Sequence, residues 1–105
     1  MYNRHTDFEF DPEKEAKNRE RHKVDFQAAK EVFIDQDMIL VSDQKHSQVE
    51  RRWYAVGRVR DGRIITVWFT RREDRIRIIG AAELRKWRKE YEKRKVARSI
   101  KTEMG

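Results

Sequence analysis

Cysteine is absent from the 105 residues, which excludes disulfides, zinc ribbons and thiol catalysis. Long apolar runs are absent too. No stretch approaches a membrane span, and the opening MYNRHTDFEF lacks the apolar core of a signal peptide. The expected location is the cytoplasm, with no membrane partner. Histidine is scarce, and His5, His22 and His46 have no metal-ligand spacing, so neither a metal nor another cofactor is expected. Internal repeats and low-complexity segments are missing as well. Apolar residues make up 37% of the chain against 43% charged, which is lean for a globular protein. Yet three Trp, three Tyr and five Phe are spread along it, and disordered chains are usually poor in aromatics. The reading is one small folded domain with a heavily charged surface and little apolar area to spare.

Positive charge is what the chain has in excess. A formal charge of +7 and a pI of about 9.9 favour an anionic partner. RNA, DNA, an anionic membrane and an acidic protein are all admissible on charge alone. So is a solubility charge with no dedicated ligand.

Periodicity divides the chain into elements. DFEF (7–10) alternates Phe8 and Phe10 as a short strand. Asp11 and Pro12 form a strong helix start, and the helix over residues 12–22 has only Ala16 as an apolar residue. Asp25 is the next cap; Phe26, Ala29, Val32 and Phe33 then recur at helical spacing over 26–34. From residue 38 the period becomes two. MILV (38–41), RRWYAVGRVR (51–60), RIITVWFT (63–70) and DRIRIIG (74–80) read as strands, with Asp61-Gly62 as the main hairpin signal. Short connections make them antiparallel neighbours. After Ala82, Leu84, Trp87 and Tyr91 return to helical spacing, and 96–105 has no convincing period. The expected fold is therefore α+β: two N-terminal helices, a four-strand antiparallel meander and a C-terminal helix covering one face. The expected domain covers residues 1–95, followed by a flexible tail over 96–105.

Two stretches concentrate polar groups suited to reaction. HSQVERRW supplies His46, Glu50 and Arg52; the end of the meander supplies Thr70, Arg72, Arg75 and Arg77. If these strands are neighbours, arginines converge with a carboxylate or an imidazole. That set suits metal-free RNA cleavage, in which a base takes the 2′-hydroxyl proton and guanidinium groups stabilise charge on the phosphate. Arginine fits because its planar fork grips phosphate oxygens and stays charged. Plainer explanations compete. His46 sits in a polar loop, Glu50 beside Arg51 and Arg52 reads as a surface ion pair, and Arg75 and Arg77 alternate with isoleucines like the wet face of a sheet. Trp53, Tyr54, Trp68 and Phe69 suit base stacking, but a chain this small needs most of them as core. Arg85, Lys86, Arg88 and Lys89 read first as a solvated helix face.

Taken in order, these residues resemble the BrnT family of bacterial type II toxin–antitoxin systems. FEFDPEKEAKNRERH supplies Asp11, Pro12, Lys14, Asn18, Arg21 and His22; the next helix supplies Phe26, Ala29, Val32, Phe33 and Asp35. His46, Glu50, Arg52, Trp53 and Gly57 follow, and TRREDRIRIIGAA precedes a helix containing Tyr91. The resemblance implies a RelE-like fold and a metal-independent endoribonuclease that arrests growth. It also implies a BrnA-type antitoxin, through which alone operator DNA would be bound. By position, His46, Glu50, Arg52, Thr70, Arg72 and Arg77 fall on the family's polar motif residues. The chemistry above suggests acid–base work for Glu50 or His46 and phosphate binding for Arg52, Arg72 and Arg77. Thr70, Arg75, Arg85 and Lys86 are the expected RNA contacts. The family's serine and arginine in the last motif stand here as Gly80 and Ala82, and its glycine after His22 as Lys23. These departures leave an alternative open: a catalytically weak toxin-fold protein that only binds RNA or its antitoxin. Direct DNA binding ranks last, since no helix-turn-helix pattern appears and the basic residues read as spread.

Overall fold

The computed structural model describes residues 6–46 and 49–104, with side chains through residue 97. His5 therefore lies outside the described residues. Five strands form one mixed sheet: β1 (Asp7–Glu9), β2 (Ile39–Asp43), β3 (Arg52–Arg58), β4 (Ile64–Arg72) and β5 (Arg75–Ala82). Their order is β1-β5-β4-β3-β2. Strands β2 to β5 pair antiparallel in sequence. The expected four-strand sheet is corrected at its edge, because β1 pairs with β5 in parallel as a fifth strand. The crossover formed by the two helices gives the physical reason. It carries the chain from β1 across the sheet to β2 at the opposite edge and so leaves β1 beside the last strand, a pairing that local periodicity does not encode.

The N-terminal helices obey their caps. The Asp11 side chain accepts from the Glu13 amide at the start of α1 (Pro12–His22), and Asp25 accepts from Ala28 at the start of α2 (Phe26–Lys30). Helix α2 is shorter than periodicity predicts, since Glu31–Ile34 tighten into a 3-10 turn. Helix α1 ends on Lys23 in the left-handed conformation, φ 59°. Glycine adopts that conformation without a Cβ penalty, so Lys23 carries backbone strain that a glycine there would not.

The two faces of the sheet are covered unequally. Phe26, Ala29, Val32 and Phe33 pack against Ala55, Val67, Phe69, Ile76 and Ile78 to form the main core. Phe33 bridges Phe8 and Phe69, with ring centroids 5.3 and 5.0 Å away. Phe69 is fully buried, so of the aromatics considered for base stacking it belongs to the core. On the other face, Tyr91 and Trp87 of α3 (Arg85–Met104) cover only Ile39, Val41, Val56 and Ile64. Helix α3 continues to Met104, where periodicity predicts an end near residue 95. Lysine, arginine and alanine are good helix formers that need no apolar stripe. No described helix is long and apolar enough to cross a membrane.

Asn18 closes the sheet where β1 stops. β1 pairs only with Arg75, Ile76 and Arg77, leaving the far end of β5 as an edge. The buried Asn18 amide donates to the Ala81 carbonyl (2.9 Å) and accepts from the Ala81 amide (3.0 Å), as a neighbouring strand would. It also donates to the Val24 carbonyl at 2.9 Å, tying the α1–α2 connection to β5. Asn18→Ala strands buried backbone groups and should cost about 2–3 kcal/mol, measured by urea denaturation against the wild type.

Candidate functional site

One rung of the sheet collects the polar residues. Asp43 of β2 pairs with Arg52 of β3, Arg52 with Thr70 of β4, Thr70 with Arg77 of β5, and Arg77 with Glu9 of β1. Register partners point to the same side of a sheet, so all five side chains share the face that α3 covers only in part. Arg72, two residues beyond Thr70, and Arg75, two before Arg77, extend this face outward.

Glu50 lies just before β3 and grips Arg72 with both oxygens, at 2.9 Å to Nε and 3.3 Å to a terminal nitrogen. Hydrogen bonding to Arg72 holds the Glu50 carboxyl below the usual glutamate range; slight burial opposes this, and the charges of Arg77 and Arg52 add to it. Glu50 in turn raises the Arg72 guanidinium. Arg77 contacts Glu9 at 3.2 Å. Thr70 is only 1% exposed, and its hydroxyl donates to the Arg51 carbonyl at 2.6 Å. Thr70, expected as an RNA contact, is thus buried and belongs to the frame that holds the start of β3.

His46 closes a short 3-10 turn after β2, and its Nδ1 meets the Asp43 carboxylate at 3.0 Å. Asp43 is 7% exposed and His46 52%. The same carboxylate accepts the Tyr54 hydroxyl, and burial first, then Asp43, pushes that phenol up. With Nδ1 engaged by Asp43, Nε2 is the imidazole nitrogen left for chemistry. Lys45, His46, Val49, Glu50 and Arg52 line an open cleft of about 390 Å³ at this end of the sheet. Among the described residues no group of His, Asp and Glu is placed to hold a metal ion.

The expected residues thus separate. His46, Glu50 and Arg52 line the cleft, and Arg72 and Arg77 adjoin it on the same face. Arg75 is exposed opposite Asp7. Arg85 and Lys86 are exposed in the first turn of α3, not on the sheet. Sequence reading missed Asp43 and Glu9, and weighed Tyr54 only for base stacking or core. Spacing held the signal for Asp43, because a 3-10 turn brings residues i and i+3 together. Alternation held it for Glu9, which lies between Phe8 and Phe10.

Residues 10–96 match the family described as the ribonuclease toxin BrnT of type II toxin–antitoxin systems. The chain belongs to the BrnT family. No curated protein matches it. Gly80 and Ala82 stand where the resemblance drawn above expects a serine and an arginine. A Cβ on Gly80 would lie 2.2–2.4 Å from the Trp68 indole, so this glycine makes room for Trp68. Ala82 is buried opposite Thr66, four residues along β4 and so about 13 Å from the Thr70 rung. Both departures lie off the polar rung itself.

Two measurements check this geometry. Gly80→Ser should displace Trp68, lowering stability by about 1–3 kcal/mol and red-shifting tryptophan fluorescence. The second concerns Glu50, whose lowered folded-state value makes its pairing with Arg72 fully stabilising above the ordinary glutamate range. That contribution is lost as pH falls through the lowered value. Carboxyl ¹³C titration should place Glu50 below a free glutamate, and Arg72→Ala should move its midpoint upward.

Proposed function

We propose that this protein is a metal-independent endoribonuclease toxin that acts in the cytoplasm and is silenced by a BrnA-type antitoxin. The fold then serves as a RelE-like scaffold for the cleft. The observation that carries the reading is a histidine oriented by a buried carboxylate, beside arginines gathered on one sheet face. His46 Nε2 takes the 2′-hydroxyl proton, the 2′-oxygen attacks the adjacent phosphorus, and the bond to the 5′-oxygen breaks. Arg52, Arg72 and Arg77 stabilise the charge that builds on the phosphate oxygens, where fixed cations act most strongly. The departing 5′-oxygen takes its proton from the His46 imidazolium, restoring the neutral ring. Asp43 positions the His46 ring through its Nδ1 contact. Glu50, held ionised, suits the orientation of Arg72 better than proton donation.

A second reading is favoured by the pairing of Arg72 with Glu50 and of Arg77 with Glu9. Arginines already engaged by carboxylates fit a protein that binds RNA, or its antitoxin within a repressor complex, without cutting.

Purified protein incubated with total RNA in EDTA separates the two. Cleavage leaving 2′,3′-cyclic phosphate ends is expected, with His46→Ala or Arg77→Ala slowing it at least 100-fold. Asp43→Asn should lower kcat with little change in KM. RNA that is shifted on a gel but stays intact would sink the nuclease reading and leave the binding one.

A further inference from the structure

The protein's positive charge is concentrated in α3. Residues 85–104 contain nine Lys and Arg against three Glu, a net of six of the chain's seven formal positive charges. The rest of the chain, cleft included, is close to neutral. Because the helix runs on to Met104, basic residues that read as spread along the sequence share a single rod.

The fold makes little use of that rod. Between residues 85 and 97 only Tyr91 is buried, with Trp87 and Glu90 half-buried. Lys95 reaches Asp37 at 3.8 Å, and Arg94 pairs with Glu90 at 3.0 Å. Among the described residues, Arg85, Arg88, Lys89 and Lys93 have no ion-pair partner. Arg85, Lys89 and Lys93 recur every four residues, so they lie on one side of the helix about 6 Å apart along its axis.

This arrangement opposes helix stability. Like charges four residues apart cost a few tenths of a kcal/mol each, and basic residues in a first turn oppose the macrodipole. Helix α1 follows the opposite rule, with Glu13 and Glu15 in its first turn and Arg19, Arg21 and His22 in its last. A bound polyanion would turn the α3 cost into a gain. The helix also begins near the cleft: the Trp87 ring lies 6.2 Å from Tyr54, whose hydroxyl bonds Asp43. Protein interfaces are anchored by large apolar side chains, and among the described side chains of α3, residues 85–97, Val96 is the only large exposed one. The face therefore suits a phosphate backbone better than a protein.

We propose that the α3 face carrying Arg85, Lys89 and Lys93 is a phosphate-binding track for the RNA strand outside the cleft. Its direction rests on the RNA-cleaving reading, but its test does not require cleavage. The probe is a fluorescent 20-nucleotide 2′-O-methyl RNA, which has no 2′-hydroxyl to react. Anisotropy is measured between 50 and 200 mM salt for the wild type and for R85Q/K89Q/K93Q. Lys14, Lys17 and Arg21 on α1 are exposed and serve as a charge-matched control, K14Q/K17Q/R21Q. The α3 variant should bind at least tenfold more weakly, with the slope of log K against log salt shallower by about 2; the α1 variant should change affinity less than twofold. Equal losses in both variants would show a bulk-charge effect and overturn the track. Unchanged RNA affinity with lost binding of poly-L-glutamate would also overturn it, reassigning the face to an acidic protein. If the track result holds while natural RNA is never cut, the nuclease reading falls and the track stands.

Discussion

The site depends on one constraint, the register that aligns Asp43, Arg52, Thr70, Arg77 and Glu9 across five strands. A slip of one residue in any strand would turn its polar side chain into the apolar core and bring a core residue into the cleft. Register is held where it matters. The Thr70 hydroxyl ties β4 to the backbone at the start of β3, and Phe8, Phe69 and Ile76 are locked on the opposite face against the helices. The side chains of the rung are thus positioned by the burial of their neighbours, while His46 and Glu50 come from the connection between β2 and β3.

The two faces divide the work. One face is sealed by α2 and the turn after it, with aromatic contacts among Phe8, Phe33 and Phe69. The other is sealed only where Tyr91 meets Asp35 (2.6 Å) and, with Trp87, covers Ile39, Val41, Val56 and Ile64. Burial pushes the Asp35 carboxyl up, but hydrogen bonds from Tyr91 and from the Arg58 and Asp37 amides outweigh it and leave it below the usual range. This buried anchor holds α3 at one end of the sheet, and the other end remains open as the cleft. A small chain with 37% apolar residues has little surface with which to close both ends.

Lys23, Gly80 and Ala82, the residues that differ from the motifs the resemblance leads one to expect, fall where the frame can absorb them. Gly80 is matched by a tryptophan lying over it, and Ala82 sits in the half of the sheet that α3 covers. Lys23 keeps the left-handed turn that a glycine would adopt more easily. None of the three lies on the polar rung.

Local order was legible in the sequence. Caps at Asp11 and Asp25, the alternation in β3 to β5 and the spacing of Trp87 and Tyr91 all act through near neighbours, so periodicity reports them. The cluster of His46, Glu50, Arg52, Arg72 and Arg77 could be drawn up from motif order, but not the pairings within it. Only the tertiary structure decided that β1 joins β5 in parallel, that Thr70 is buried, and that Asp43 holds His46. It also decided that α3 extends past the sheet with nearly all the net charge. These outcomes depend on register and on which half of a face is covered, both set by contacts between residues far apart in the chain.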